Sequence, residues 1–520
     1  MPKLIIDNRE VEVEEGATIL DAAEKLGIEI PTMCFLKGYE PSTSCMVCIV
    51  KLAGKESYVP ACGTIAKDGM HVESDCEEIY QARRAALELL LSDHLGDCMG
   101  PCRMICPAQM NIPLMIRQIA AGELRDAIVT VKKDIALPAV LGRICPAPCE
   151  NVCRRASVDQ AVSICLLKRY VADVDLRSDE PYLPKCEPSN GKGIAIIGAG
   201  PAGLAAAYYL AQKGCHCTVF DDHEKPGGML RYGISEDELP RKVLDAEITL
   251  IEKLKVEFQY KTHIGTSLTL EDLRRDFDAV FVAAGQLKPS GAEAMGLKTG
   301  QRGIEINSRT YETTLPGVFA GGDAVRKRRL AIRSLADGKE AAVSIVQFLS
   351  GGPVTGPAKP FNTRIGKIEE QEIESFMACA SEIPRAEPSQ KNKGFIDHQA
   401  KAEAARCMHC DCRKANACKL REYSQQYYAR PTRYKIQRRS FVQQLQHPDI
   451  IYEPHKCIDC GLCIKIASKA GEKLGLTFVG RGFDVQVAVP FDKSIAEGLK
   501  HTAAKCVEAC PTGALAFKEK

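Results

Sequence analysis

The chain carries 25 cysteines, and most stand at short, regular intervals. Residues 34–62 read Cys34-x10-Cys45-x2-Cys48-x13-Cys62. Residues 94–106 read His94-x3-Cys98-x3-Cys102-x3-Cys106-Pro, and a second run, Cys145-x3-Cys149-x3-Cys153, is followed by Cys165. Later come Cys407-x2-Cys410-x-Cys412-x5-Cys418 and Cys457-x2-Cys460-x2-Cys463, with Cys510 in "AAKCVEACPTGAL". Closely spaced thiolates suit zinc or iron–sulfur clusters. The opening "MPKLIIDNREVEVEEG" has no apolar stretch or small-residue cleavage site, so a cytoplasmic protein is expected, where thiols stay reduced and a disulfide framework is disfavoured.

Each group asks for a particular centre. The first, on a loop rich in turn formers (Gly38, Pro41, Ser42, Ser44), suits a 2Fe-2S cluster whose sulfurs need backbone N–H donors. Zinc is the alternative, and the ten-residue first gap is unlike zinc-ribbon spacing. Between His94 and Cys165 stand seven cysteines and one histidine, enough for the eight ligands of two 4Fe-4S cubanes. The intervening "MNIPLMIRQIAAGELRDAIVTVKKD" has helical periodicity, so the two cysteine runs are expected to fold back on each other. His94 stands open between a ligand and a plain surface group. Cys407, Cys410, Cys412 and Cys418 suit zinc or a cubane, and the neighbouring clusters favour 4Fe-4S. In the last group the two-cluster pattern C-x2-C-x2-C-x3-C is incomplete. Ala467, Lys500 and Ala503 replace three ligands of one cluster and orphan Cys506, while Cys457, Cys460, Cys463 and Cys510 keep the other. Cys76, Cys186, Cys215, Cys217, Cys379 and Cys506 read as small buried hydrophobes.

One further motif binds a dinucleotide. In "GIAIIGAGPAGLAAAYYLAQKGCHCTVFDD" an apolar strand runs into Gly198-x-Gly200-x-x-Gly203, then a helix, a second strand and an acid, Asp221. Gly198 permits the tight turn, Gly200 lets backbone approach a pyrophosphate, and Gly203 allows helix-on-strand packing. The helix N-terminus stabilises the anion, and Asp221 would accept a ribose hydroxyl. No other such fingerprint occurs in the chain.

The elements that position these groups divide the chain into five stretches. Residues 1–78 hold short strands and an amphipathic helix, 79–180 a helical cluster domain with two 4Fe-4S sites, and 181–350 a Rossmann-like domain. Residues 351–400, rich in Pro and charge, read as a connecting segment over the surface, and 401–520 as a C-terminal 4Fe-4S region. The whole is a multidomain α/β and α+β chain. Its 520 residues bear a net charge of +2, which gives no reason to invoke nucleic acid or an anionic membrane, and no apolar run is long enough to span a bilayer. No Ser-His-Asp, paired-carboxylate or P-loop arrangement stands out, nor ligands for molybdenum, tungsten or nickel.

Several stretches resemble known families. "GATILDAAEKLGIEIPTMC", "SCMVCIVKL", "VPACGT" and "ARRAALELLLSDHLGDC" are similar to the β-grasp ferredoxin domain of the large iron–sulfur subunit of respiratory complex I and of iron-only hydrogenases. There His-x3-Cys opens a 4Fe-4S site, which implicates His94. "CRMICPAQMNIPLMIRQIAAGELRDAI" and "LPAVLGRICPAPCENVCRRA" resemble the helical domain of the glutamate synthase small subunit and dihydropyrimidine dehydrogenase. That resemblance implies one cluster on His94, Cys98, Cys102 and Cys153 and another on Cys106, Cys145, Cys149 and Cys165. The family's late Gln or Glu ligand falls at Lys168, and Cys165, three residues earlier on the same helical face, is expected to replace it.

"KPGGMLRYGI" and "TTLPGVFAGGDAV" resemble FAD-binding residues of the same small subunit. By that resemblance Gly227 and Gly228 approach the flavin, Gly322 makes a close turn and Asp323 bonds the ribityl chain. In that family a strand like "FVAAGQLKP" leads into a second Rossmann unit for NADPH. Here "QLKPSGAEAMGLKTGQRGIEINSRTYE" has no second fingerprint, so the nicotinamide domain is expected to be lost. "RKRR" at 326–329 reads as a solvated charge run, or as a source of a cation over the flavin N1/C2 edge, Arg328 or Arg329. "LTFVGRGFDVQVAVPF" resembles the bacterial-type ferredoxin region of complex I-like, formate dehydrogenase and hydrogenase subunits.

Together these resemblances imply an electron-transfer subunit with FAD, one 2Fe-2S and up to four 4Fe-4S clusters. Its expected partners are other redox subunits: a formate dehydrogenase, hydrogenase or tungsten aldehyde oxidoreductase, with an NADH-oxidising subunit. The alternatives are a self-sufficient NAD(P)H-dependent reductase of the glutamate synthase small-subunit type and a purely structural scaffold.

Overall fold

The computed structural model describes all residues except 55–56, 266–267, 328, 391–392, 435–439 and 519–520, together with the side chain of Phe483. The chain forms two compact units: residues 1–100, 360–378 and 410–520 in the first, and residues 101–359 and 379–409 in the second.

In the first unit, strands Lys3–Ile6 and Arg9–Glu12 form a hairpin turned at Asp7 and Asn8, both with positive φ. Strand His71–Glu73 lies parallel to Lys3–Ile6 and antiparallel to Ile49–Leu52, which pairs with Tyr58–Pro60, closing a five-stranded sheet. Leu4, Ile6, Val50 and Val72 alternate toward the helix Ile19–Lys25 and form one core. That helix starts in a capping box: Asp21 N–H donates to Thr18 Oγ1 at 3.2 Å and the Asp21 carboxylate accepts the Thr18 N–H at 2.8 Å, an arrangement that contributes about 1 kcal/mol. The C-terminal part is built on two short antiparallel pairs, Ile450–Tyr452 with Leu515–Phe517 and Thr477–Val479 with Gln486–Ala488. Helices Leu462–Lys469 and Ala503–Ala509 pack on them.

In the second unit, helices Ile112–Ala121, Leu124–Lys132, Pro138–Ile144 and Ile164–Arg177 form the helical part. Gly122, at φ +81°, terminates the first of these in the left-handed conformation that glycine adopts without a Cβ penalty. The rest is a parallel five-stranded sheet in the spatial order 318–320, 279–282, 193–197, 216–220, 257–259. Its strands are short apolar runs, as burial on both faces of a parallel sheet requires. Helices Pro201–Gln212 and Ala331–Leu349 cross closely because a Cβ on Gly338 would overlap the Ala202 carbonyl.

The stretch 351–400 does more than run over the surface. Its first part supplies Phe376 and Glu372 to the first unit, where Phe376 stacks on Phe441 at 3.9 Å and Glu372 accepts the Phe441 N–H at 2.8 Å. Just beyond it, buried Glu403 belongs to the second unit and accepts the Ser163 N–H at 2.7 Å. Pro content marks breaks in secondary structure and says little about burial, which is why composition alone suggested a linker. Among the described residues no helix is long and apolar enough to cross a membrane.

Candidate functional site

The loop 34–62 gathers four buried thiols. Cys48 Sγ lies 3.3 Å from Cys62 Sγ, and Cys34 is hydrogen-bonded by Cys45 and Cys62. Those two contacts hold the Cys34 thiol far below the usual range, the bonds with Cys34 and Cys48 push Cys62 up, and Cys48 is drawn down to about 7, chiefly by its bond with Cys62. Backbone N–H groups of Ser44, Cys45 and Val47 point at the sulfurs, helped by positive φ at Thr43 and Met46, which curl the loop inward. Negative charge converging on a nest of N–H donors is what an iron–sulfur cluster requires of its protein.

In the second unit, Cys106, Cys145, Cys149 and Cys165 line one pocket of about 340 Å³ with apolar walls from Met110 and Ile112. Ala147, at φ +48°, bends the chain between Cys145 and Cys149. Cys165 is aimed by its N–H, which donates to Glu150 Oε1 at 2.9 Å, and its thiol bonds Cys145, drawing the latter down to about 6. Lys168, one turn on, lines the same pocket. Burial pulls its ammonium down, and the summed attraction of Cys165, Cys145, Cys149 and Cys106 more than offsets this, so its proton is held more tightly than usual. Cys102, Cys153 and Cys407 are half-buried against the same core. Arg155 links the last two segments by donating to the Arg406 carbonyl at 3.0 Å.

The boundary between the units falls after Gly100. Cys98 is therefore placed in the first unit, where its neighbours are Thr363 Oγ1, 3.3 Å from its sulfur, and the buried thiols of Cys412 and Cys418. His94 is half-buried as a residue, with its Nδ1 sealed from solvent. Burial, and then the Lys456 cation, draw the ring down to about 4, so it is a neutral imidazole at physiological pH. Cys457, Cys460, Cys463 and Cys510 line a pocket of about 350 Å³. Burial pushes these thiols up where a shift is resolved, a cost that metal binding removes by replacing the protons. Where the two-cluster cysteine pattern is incomplete, Ala467, Ala503 and Cys506 pack into an apolar core, and Cys506 Sγ reaches the Cys463 carbonyl at 3.8 Å.

The dinucleotide site lies where the strand order reverses. The first strand, 193–197, is flanked by the second, 216–220, on one side and the fourth, 279–282, on the other, and the crevice at the carboxyl end of such a strand is where open α/β sheets bind ligands. Gly198 stands there at φ +104°, and a Cβ on it would lie 2.5 Å from the Ala283 carbonyl oxygen. A Cβ on Gly203 would overlap the Gly198 carbonyl, whereas one on Gly200 would enter open space, as expected of backbone left bare toward a ligand. Gly228 approaches Gly200 so closely that its Cβ would lie 2.9 Å from Gly200 Cα, and Gly227 has φ +127°.

Asp221 is buried, accepting from the Ala199 N–H at 2.6 Å and the His223 N–H at 2.9 Å. Gly322, at φ +68°, packs on Ala202 (Cβ to Cβ 3.0 Å if a side chain were added) and donates its N–H to Asp337 at 3.1 Å. Asp337 was not anticipated from the sequence, although "SLADG" in the following helix carried it. Asp323 Oδ1 accepts the Arg329 N–H at 3.3 Å, and Arg328 lies outside the described residues.

Strands 279–282 and 318–320 are direct parallel neighbours, Val280 opposite Val318. Among the described residues only a helix, Pro289–Ala294, and a hairpin of two-residue strands, Thr299–Gly300 and Gly303–Ile304, come between them in sequence.

Residues 3–77 match the 2Fe-2S iron–sulfur cluster binding domain, residues 74–180 dihydropyrimidine dehydrogenase domain II with its 4Fe-4S cluster, and residues 196–254 an NAD(P)-binding Rossmann-like domain. The NADPH-Fe(3+) oxidoreductase subunit beta of Geobacter sulfurreducens is 41% identical over 200 residues, 37% of this chain and 30% of that one. The NADP(+)-dependent formate dehydrogenase subunit beta of Moorella thermoacetica is 39% identical over 207 residues, 36% of this chain and 29% of that one. The glutamate synthase [NADPH] small chain of Bacillus subtilis is 33% identical over 213 residues, 40% of this chain and 43% of that one. The chain thus spans less than half the length of each of these relatives. It is a multidomain iron–sulfur protein with 2Fe-2S and 4Fe-4S domains and a Rossmann-like dinucleotide domain, homologous over part of its length to glutamate synthase small-chain-like oxidoreductase subunits.

Proposed function

We propose that the protein is a cytoplasmic electron-transfer subunit of a multisubunit oxidoreductase, relaying electrons between partner subunits through FAD, one 2Fe-2S and about four 4Fe-4S clusters. FAD is the group that couples two-electron to one-electron chemistry. The residues of this chain would hold it: Gly198, Gly200 and Gly203 would offer bare backbone to a pyrophosphate, Gly227 and Gly228 would leave room beside it, and Asp221 would accept a ribose hydroxyl. What supports FAD over a nicotinamide nucleotide at this one site is the turn at Gly322 and Asp323, packed against Ala202 in the first turn of the pyrophosphate helix. An NAD(P) fingerprint alone does not call for that second motif.

The observation that carries the relay reading is the short connection between the paired strands 279–282 and 318–320, in which the described residues form only helix Pro289–Ala294 and a hairpin of two-residue strands; this leaves no inserted nucleotide domain among the described residues to present a hydride donor. Electrons would then enter and leave through clusters and through partner redox subunits, such as a formate dehydrogenase, a hydrogenase or an NADH-oxidising subunit. Denaturing the anaerobically purified chain is expected to release stoichiometric FAD. Release of NAD(P) in its place would overturn the assignment.

A further inference from the structure

The segment His94–Cys98 runs beside the C-terminal part of its own compact unit. Leu95 N–H donates to the His455 carbonyl at 3.0 Å, and a Cβ on Gly96 would stand 2.8 Å from Lys456 Cε. One residue further, Asp97 and Asp411 form a parallel β-bridge. In a parallel pair, the next residues on the two strands lie about 4.8 Å apart and share a face, and here these are Cys98 and Cys412. The chain then reverses through the 3-10 turn Ala415–Ala417, with Ala415 N–H returning to the Cys412 carbonyl at 3.2 Å. This brings Cys418 within electrostatic reach of both Cys412 and Cys98. All three thiols are buried.

Lys456 ties this group to His94. Its Cδ would lie 3.8 Å from a Cβ on Gly513, and that same Cβ would overlap Cys412 Sγ, so the lysine stem and the thiol border one glycine. The His94 ring lies near the Lys456 backbone and the Lys456 cation. Its Nδ1 is enclosed and has no partner among the described residues. A neutral imidazole with a bare, buried ring nitrogen is suited to ligating a metal.

We propose that His94, through Nδ1, and the thiolates of Cys98, Cys412 and Cys418 hold one 4Fe-4S cluster. The proposal rests on the electron-transfer reading and makes it more specific. It takes Cys98 away from its sequence neighbour Cys102, divides the Cys407–Cys418 run, and gives the chain one centre with an imidazole ligand. Exchanging a thiolate for a neutral imidazole removes a negative charge from the centre, so this cluster has a higher potential than the same site with four thiolates.

The test uses the full chain purified anaerobically, with iron analysis and EPR of the reduced protein. Cys98→Ala and Cys412→Ala are each expected to lose one cluster's iron and the same EPR signal, and the double variant to lose no more than either single. Loss of two clusters' iron in the double variant would overturn the grouping. His94→Cys is expected to keep the iron and lower the midpoint potential of that same signal, and an unchanged potential would overturn the role of His94. Persistence of the remaining signals reports that each variant is folded. These readouts do not depend on where the flavin obtains its electrons, so failure of the relay reading would appear as flavin reduction by NAD(P)H with the iron counts unaffected.

Discussion

Lys168 shows how one side chain sets the behaviour of a centre. Its sequence position marks a lost ligand in the related family, and the structure leaves it lining the pocket of Cys106, Cys145, Cys149 and Cys165 with its charge held by the thiolates. A fixed cation favours the reduced, more negative state of a cluster. At an effective dielectric constant near 20 and about 6 Å, the interaction is about 3 kcal/mol, on the order of 100 mV. Lys168→Met is therefore expected to lower the midpoint potential of that cluster by roughly this amount in an EPR-monitored redox titration. An unchanged potential would place the ammonium out of reach. That Cys165 and Lys168 line one pocket was legible in the sequence, because three residues on a helix preserve the face. The neighbours of Cys98 were not legible: helical and loop spacing define local groups, and the Asp97–Asp411 bridge joins segments separated by most of the chain.

At the scale of elements, the glycines that let the helix approach the sheet are the most exacting positions. Gly203→Ala puts a methyl group onto the Gly198 carbonyl, and either the turn or the helix must move. A loss of about 1–3 kcal/mol in stability is expected from such overpacking, together with loss of bound dinucleotide, checked by thermal unfolding and by the visible spectrum. Wild-type affinity in this variant would contradict the assigned close approach.

Glu247 offers a second check. Buried, it accepts the Ala139 and Val140 N–H groups, each at 2.8 Å, at the start of helix Pro138–Ile144. Burial raises its carboxyl from 4.5 to about 7, against the pull of those two N–H bonds. The folded state thus binds the proton more tightly than the unfolded chain. The stabilisation this confers is complete below the unfolded value, shrinks as pH rises toward 7, and is gone above it, a change of about 3 kcal/mol. Glu247→Gln is expected to flatten the fall in unfolding temperature between pH 5 and 7, and an unaltered slope would show that Glu247 is not its source. The strand–turn–helix around Gly198 could be read from sequence because all its determinants lie within thirty residues. Glu247 could not, because an acid on an amphipathic helix is normally solvated, and only packing shows that this one caps another helix.

For the whole molecule, the cysteines of the candidate cluster sites lie in both compact units. Much of this was legible: the five cysteine groups, the dinucleotide fingerprint and the incomplete C-terminal pattern at Ala467, Lys500 and Ala503 all follow from local spacing. The division into units was not, since residues 360–378 and 379–409 part company inside a stretch whose composition reads as a linker. The central claim is that the flavin of this chain exchanges electrons with clusters and has no hydride donor bound beside it by the same polypeptide. Mixing the purified chain anaerobically with excess NADPH or NADH and following the flavin absorbance tests it directly. The flavin is expected to stay oxidised over the time of enzymatic turnover and to bleach fully when dithionite is added. Rapid bleaching by either pyridine nucleotide in the isolated chain would contradict the account.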